Sequence, residues 1–165
     1  MDTFSHALWG KGLFGYRKYR WYSILFGVIP DLSSFGVFSL YNLLINPAPF
    51  KFGKPRLEDI PDWVHRLYDV SHSMVIAFLF IAIVYCLKKD LCFPMLAWPF
   101  HILLDFFTHS TDFFATPIFE PLSSYRFDGV PWSNPYIMIG NVLCIILVFV
   151  YRRKKITPID LIFNR

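Results

Sequence analysis

Three side chains that can bind a metal recur every four residues in one apolar stretch of the chain: His101, Asp105 and His109. On an α-helix each step of four residues advances about 400°, so the three project from one stripe at roughly 0°, 40° and 80°. The other faces of the stretch are Leu, Ile and Phe. An ionisable residue in hydrocarbon costs on the order of 3 kcal/mol, so such residues usually face a protein interior and mark function. The stretch is therefore predicted to carry a functional site.

The spacing within this stripe allows one ion or two. His101 and Asp105 lie on adjacent helical turns and can bind the same ion. His109 lies about 12 Å along the axis from His101, so the three cannot easily share one ion. A carboxylate between two histidines can instead bridge two metals about 3.5–4 Å apart. The alternative is that His101 and Asp105 bond to one another or to a neighbouring helix, as buried polar groups commonly do.

A second possible stripe precedes the first. His72 stands at the outer end of another apolar segment, and Asp69 and His65 precede it by three and seven residues, which predicts one helical face. We expect His72 to bind metal, with Asp69 or His65 orienting a water molecule or carrying its proton. The alternative for His72 is an interfacial histidine on a capped helix.

Two further ligands are predicted near the start of the chain. Asp31 lies inside a long apolar region, where a carboxylate without a partner is expensive, so a metal or histidine partner is expected. It could otherwise simply cap the next helix. His6 is expected to converge with Asp31, and its alternative is a packed polar residue on a short helix. Arg126, in an aromatic-rich loop over residues 110–134, would suit a substrate phosphate, with solvated surface as the alternative.

Composition indicates an integral membrane protein. The chain has 165 residues, of which 55% are hydrophobic and 20% aromatic, too apolar for an ordinary soluble domain. The net charge of +4 does not indicate nucleic-acid binding, because nine of the sixteen Lys and Arg residues cluster beside apolar runs, at residues 17–20, 88–89 and 152–155. Alternate spans put these clusters on one side, which the positive-inside rule makes cytoplasmic. The candidate ligands then converge in the outer half of an inner (cytoplasmic) membrane.

The predicted fold is all-α: one multi-pass domain over residues 1–165, with about four to five membrane-embedded helices around a His/Asp cluster. Pro30 predicts a helix break near Asp31. A single helix is predicted to begin near Asp59 and run through His72 to Leu87, and another from Leu91 to His109 with kinks at its prolines. Residues 50–62 are predicted to form a polar connection. The sequence makes no prediction of oligomeric state.

The polar motifs, in this order, resemble a bacterial and archaeal family of membrane-bound, metal-dependent hydrolases. The likeness covers nearly the whole chain and is carried by Ser5-His6, Pro30-Asp31, Ser71-His72-Ser73, His101-x-x-x-Asp105 and the loop from Pro121-Leu122 to Arg126-Phe127. The resemblance implies a helical membrane protein with a zinc centre held by the histidines and aspartates of those motifs. Many members of the family have a His-Arg-Gly element five residues before the histidine that corresponds to His72. This chain differs, because it has His65-Arg66-Leu67 seven residues before His72. A more remote similarity to the zinc-dependent phospholipase C and P1 nuclease fold implies phosphoester chemistry.

These observations lead to one principal expectation and two rivals. The chain is expected to be a hydrolase in which zinc, or alternatively manganese, as one or two ions, activates water against a phosphoester or lipid-like substrate. The first rival is a non-catalytic membrane protein in which the same residues hold a structural metal or form a polar relay that supports helix packing or binds a partner. The second rival is an ion or proton path across the membrane. It is disfavoured because the candidate ligands lie toward one side of the membrane and do not line a full crossing.

Overall fold

A computed structural model describes residues 1–45 and 55–155, and in these residues all regular structure is helical, with no β-strand. The predicted all-α class is confirmed. The α-helices are α1 Thr3–Phe14, α2 Tyr22–Asp31, α3 Val37–Leu44, α4 Asp62–Ser71, α5 Met74–Lys88, α6 Cys92–Met95, α7 Ala97–Thr108 and α8 Pro135–Lys155. A π-helical turn, Leu32–Gly36, joins α2 to α3. Of the predicted polar connection, residues 50–54 lie outside this description.

Two helical segments are long and apolar enough to cross a membrane. Tyr22–Leu44 has 23 residues and Pro135–Lys154 has 20, and at 1.5 Å per residue each reaches about 30 Å of hydrocarbon. A third span exists if Asp62–Ser71 and Met74–Met95 are counted together across their 55° bend. The prediction of four to five membrane-embedded helices was therefore too high for the described residues. α1 and α7 have 12 residues each, or about 18 Å, and are too short to cross.

The predicted break at Pro30 is absent, because the helix continues through the proline by widening. Pro30 lies inside α2, and the π-helical turn follows directly. Proline has no N–H to donate to the carbonyl four residues earlier, and the carbonyls of a widened helix can accept from neighbouring hydroxyls. Here the Ser33 and Ser34 hydroxyls donate to the Pro30 carbonyl at 2.9 and 3.1 Å, and Ser71 reaches it from α4 at 3.2 Å. Asp31 is therefore held inside a continuous span.

The helix predicted to run unbroken through His72 is in fact two helices. His72 is the C-cap of α4 with φ −102° and ψ 19°, and its amide donates to the Tyr68 carbonyl at 2.8 Å. Ser73 then caps α5 by accepting from the amide of Ile76 at 3.2 Å. Because Ser73 satisfies an otherwise free amide of the new helix, the chain can change direction here at little cost. The bend leaves His72 at the junction of two helices.

The predicted helix from Leu91 to His109 is also divided, into α6 and α7, with Leu96 between them. Pro94 and Pro99 lie on either side of this junction, where proline weakens regular helical bonding. At the other end α7 stops at Thr108, and His109 has extended dihedral angles of φ −114° and ψ 139°. His109 thus leaves the helical stripe on which it was predicted to lie.

α1 and α2 pack with their backbones in contact, which glycine permits. A Cβ atom built on Gly10 would lie 2.3 Å from the Ser23 carbonyl oxygen, and one built on Gly27 would lie 2.7 Å from the carbonyl oxygen of His6. Small residues of this kind allow the close approach of membrane helices. The contact places His6 directly against α2.

The three basic clusters come together at one end of the molecule. Lys18 pairs with Asp90 at 2.6 Å, and the Arg152 guanidinium lies 3.5 Å from the centre of the Tyr16 ring. α1 and α5 end at this surface, and α2 begins there. Their opposite ends carry or adjoin the candidate ligands, so the basic surface and the candidate site lie at opposite ends of these helices.

Candidate metal centre

Four predicted ligands converge from three parts of the fold: Asp31, His72, His101 and Asp105. One ligand atom from each lies within 4.8 Å of all the others. The last residue of α2, the bend between α4 and α5, and two adjacent turns of α7 supply them. His72, His101 and Asp105 are buried, and the Asp31 side chain is 13% exposed.

Five of the six distances between these ligand atoms are close to the edges of a coordination tetrahedron. The His72 and His101 Nε2 atoms lie 3.2 Å apart, and each is 3.6 Å from Oδ1 of Asp31. Oδ2 of Asp105 lies 3.6 Å from the first of these nitrogens and 3.2 Å from the second. A tetrahedral ion with bonds of about 2.0–2.2 Å holds its ligand atoms about 3.3–3.6 Å apart. The arrangement therefore fits a small divalent cation.

When both imidazole rings are neutral the four ligand atoms are all acceptors, which also favours a cation between them. His101 Nδ1 lies 2.8 Å from the Gly27 carbonyl, and His72 Nδ1 lies 3.1 Å from the Tyr68 carbonyl. A carbonyl can only accept, so each Nδ1 carries the proton and a neutral ring presents a bare Nε2. Oδ2 of Asp105 is buried without a hydrogen-bond partner. Buried acceptors without a donor are costly, and a metal ion removes that cost while the carbonyls orient the rings.

The remaining predicted ligands, His6 and His109, lie near the other carboxylate oxygen of Asp105. Its Oδ1 lies 2.9 Å from Nε2 of His6 and 3.6 Å from Nε2 of His109, and it also contacts the backbone amine of Met1. The His6 ring stacks on His101 with centroids 3.5 Å apart. Asp105 thus stands between two groups of histidines, the arrangement expected of a bridging carboxylate.

His6 and His109 are electrostatically suited to bind a cation. Burial lowers the pKa of both imidazoles to about 4, so both rings are neutral near pH 7. The Nδ1 of His109 donates to the Phe114 carbonyl at 3.0 Å, which makes its Nε2 an acceptor, and this Nε2 lies 2.9 Å from the Met1 amine and 3.6 Å from Oδ1 of Asp105. The Nδ1 of His6 is buried with no partner.

Tyr68 was not anticipated from the sequence, yet it contacts two of the ligands. Its buried ring stacks on His72 with centroids 3.8 Å apart. Its hydroxyl donates to the Phe114 carbonyl at 2.9 Å and lies 3.2 Å from Nδ1 of His109. The available signal was its position four residues before His72, on the same helical face. Gly27, whose carbonyl orients His101, gave no such signal.

His65, Asp69 and Arg126 come together in a different place from the metal ligands. They line a separate cavity of about 250 Å³, in which Asp69 pairs with Arg126 at 2.8 Å. Arg126 also donates to the Ala115 carbonyl at 2.6 Å, and His65 stacks on Phe114. The predicted stripe of His65, Asp69 and His72 does not form, because His72 caps the helix and its side chain leaves the regular repeat.

A larger cavity of about 690 Å³ adjoins the metal ligands. Its volume is typical of a small-molecule site. Asp31 and His109 connect it with the cluster, and among its other lining residues are Leu32, Phe35, Ser39 and Trp132.

No protein-family model matches the chain, nor does any curated protein or solved structure. A function for this chain must therefore come from the chemistry of its residues. The cluster combines two carboxylates, two imidazole rings and an adjoining cavity, which together suit metal-assisted hydrolysis.

Proposed function

We propose that this chain is a membrane-embedded, metal-dependent hydrolase acting on a phosphoester or lipid-like substrate. The observation that carries the proposal is the set of four acceptor atoms, from Asp31, His72, His101 and Asp105, at tetrahedral spacing beside a large cavity. The sequence resemblance to membrane-bound hydrolases supports the same function. Zinc is the proposed metal, with manganese as the alternative, as one or two ions.

A divalent ion held by Asp31, His72, His101 and Asp105 would lower the pKa of a bound water molecule toward 7 and polarise the scissile group. The protein's own contribution is positioning. The Gly27 and Tyr68 carbonyls orient the rings of His101 and His72, and the two carboxylates balance the charge of the ion. Asp31 is the one of the four ligands that reaches the cavity, so the substrate approaches on its side. A second ion would be held by His6, His109 and the Asp105 carboxylate.

The proposal includes a membrane orientation. The helices that meet at the basic surface carry the candidate ligands toward their opposite ends. By the positive-inside rule we assign the basic surface to the cytoplasm and the chain to the inner (cytoplasmic) membrane, with several spans. The cluster then lies toward the outer leaflet. A lipid or amphipathic phosphoester in that leaflet is the substrate class that this orientation favours.

A structural metal site is the second candidate function. Four protein ligands at tetrahedral spacing can close the coordination of zinc, whereas catalytic zinc keeps an open position. The ion would then support packing among α2, α4, α5 and α7 without turnover. Against this candidate, Asp31 borders the cavity and is partly exposed, so the cluster is accessible on one side.

Elemental analysis of purified protein tests for the metal site directly. We expect one or two equivalents of zinc or manganese in the wild type, and loss of metal in His101→Ala and Asp105→Asn. His65→Ala and Asp69→Asn are matched controls, because they remove the same groups outside the cluster and should retain metal. Equal metal content in Asp105→Asn and Asp69→Asn would contradict the proposal.

Hydrolysis assays then separate the two candidate functions. Metal-loaded wild type should hydrolyse at least one compound in a panel of soluble and lipid phosphoesters, and Asp105→Asn should not. A protein that binds metal and loses thermal stability on chelation, but hydrolyses nothing in the panel, would favour the structural metal.

A further inference from the structure

The large cavity runs along a candidate membrane span. Asp31, Leu32, Phe35 and Ser39 line it from α2, the π-helical turn and α3. Eight residues separate the first from the last of these, which corresponds to about 12 Å of helix. A metal ligand therefore stands at one end of an elongated space, with a membrane helix as its wall.

The apolar part of the cavity is built largely from aromatic side chains. Phe35 and Phe113 both line it, and their rings stack with centroids 6.4 Å apart. Trp132 lies on the wall formed by the loop before α8, and its amide donates to the Thr108 carbonyl at 2.9 Å. Such a surface binds hydrocarbon through the hydrophobic effect. A small hydrophilic ester would leave it uncovered.

The cavity borders the lipid-facing surface of the same span. Leu32 lines the cavity and is 48% exposed, so it forms part of the rim. Leu40 and Leu43, farther along α3, are 54% and 72% exposed and continue the outward apolar face. A molecule dissolved in the membrane can therefore enter past Leu32 without first passing through water.

The charge of the cavity restricts the head group that binds without metal. Its described lining includes the carboxylates of Asp2 and Asp31 and the imidazole ring of His109, and no Lys or Arg. The N-terminal amine of Met1 also lines the cavity, but it is already paired with the carboxylate of Asp105. Arg126 lies in the other cavity, where it is paired with Asp69. A phosphate at this position meets two carboxylates, and like charges repel strongly where water is scarce. Only a cation in the cluster offsets that repulsion.

We propose that this cavity binds a single-chain amphiphile with a phosphate head group, and that the phosphate binds only when the cluster holds its metal. The hydrocarbon chain lies between Phe35, Phe113 and Trp132, and the phosphate lies beside Asp31 and His109. This inference rests on the proposed function and identifies its substrate class as a membrane-soluble phosphoester with one chain.

Trp132 provides a direct measurement of binding. The probe is dodecylphosphonate brominated at the end of its chain, because bromine quenches an indole that it contacts and the C–P bond of this phosphate analogue is not cleaved by a phosphoester hydrolase. The protein is held in nanodiscs of unbrominated lipid, and the signal is the quenching present in wild type and absent from Trp132→Phe. The difference between the two proteins removes the contribution of the other tryptophans. We expect this difference to saturate with probe concentration.

Two variants with the same new side chain test the location. Ser39→Phe fills the cavity, whereas Leu40→Phe adds the same ring one residue later on the lipid-facing surface. We expect quenching by the probe to weaken about tenfold in Ser39→Phe, a loss of about 1.4 kcal/mol, and to stay unchanged in Leu40→Phe. Equal quenching in the two variants would overturn the assignment of the cavity.

Metal removal tests the head group and keeps this inference separable from the proposed function. Removing the metal with a chelator should abolish quenching of Trp132 by the brominated phosphonate. Quenching by brominated dodecanol, which has no charged head group, should stay unchanged. If the brominated phosphonate quenches Trp132 equally with and without metal, the inference is overturned. Full metal content by elemental analysis, without saturable quenching, would also overturn it while leaving the metal-dependent hydrolase intact.

Discussion

Replacing Gly27 by alanine should disturb the metal centre without touching a ligand. A Cβ atom at this position would lie 2.7 Å from the His6 carbonyl oxygen and 3.6 Å from Cα of Gly10, both backbone atoms that cannot swing aside. Ordinary contact begins near 3.4 Å, so α1 and α2 must separate by 3.4 − 2.7 = 0.7 Å. Overpacking of this kind costs about 1–3 kcal/mol of stability.

Moving α1 away from α2 should displace the candidate metal ligands in two ways. His6, which contacts Asp105 and stacks on His101, moves with the α1 backbone. The Gly27 carbonyl, which orients His101, moves with α2. Loss of groups that orient metal ligands typically weakens metal affinity 10–100-fold. We expect a loss of about that size in Gly27→Ala, measured by competition with a chelating dye in detergent.

The matched control is Gly140→Ala in α8, where an added Cβ atom meets nothing within 4 Å. Alanine is the better helix former by about 1 kcal/mol, so this variant should be as stable as the wild type or more stable, with unchanged metal affinity. If Gly27→Ala binds metal as tightly as Gly140→Ala, then the close contact between α1 and α2 does not position the ligands.

Three further predictions concern residues around the centre. Tyr68→Phe keeps the ring on His72 but loses the hydroxyl donor, and should lower the free energy of unfolding by about 1 kcal/mol. Tyr68→Leu also loses the stacking on His72, and should bind metal more weakly than Tyr68→Phe in the dye competition assay. A double-mutant cycle between Asp69 and Arg126, a partly exposed pair, should give a coupling energy of about 0.2–1 kcal/mol with unchanged metal content, and loss of metal would show that this pair supports the cluster. The Thr111 amide and hydroxyl donate to Asp128 and lower the pKa of its carboxyl group, so their stabilising effect is present above the unfolded pKa of about 3.9 and is lost as the pH falls through the folded value. Unfolding of Asp128→Asn should lack that component of the acid dependence, and identical pH profiles would refute it.

The ligands were predictable because their chemistry is conspicuous in an apolar sequence. A histidine or aspartate surrounded by Leu, Ile and Phe needs a partner, and the four-residue spacing places His101 and Asp105 on one face. That reasoning identified Asp31 and His72, which the fold brings to the same point. Asp105 has histidines near both of its carboxylate oxygens, as its position between His101 and His109 in the sequence indicated.

Other features depend on contacts that spacing alone does not reveal. His65 and Asp69 fit a helical repeat with His72, but the repeat ends where Ser73 caps a new helix and the chain bends. Pro30 predicted a break, yet the hydroxyls that bond to its carbonyl include one from a distant helix, at Ser71. The number of spans was too high because short apolar helices resemble membrane-crossing ones in composition.

The distribution of the ligands along the chain has a consequence for biosynthesis. Asp31 lies in an apolar segment that precedes His72, His101 and Asp105 in the chain, so it emerges from the ribosome before them. If the spans insert in order, a carboxylate enters the bilayer before its metal site exists, at a cost on the order of 3 kcal/mol. Thr3, whose hydroxyl donates to Asp31 at 2.6 Å, is already present at that stage. The four groups that could hold a metal come together only once α7 is in place, so any loading of the cluster would be a late event in maturation.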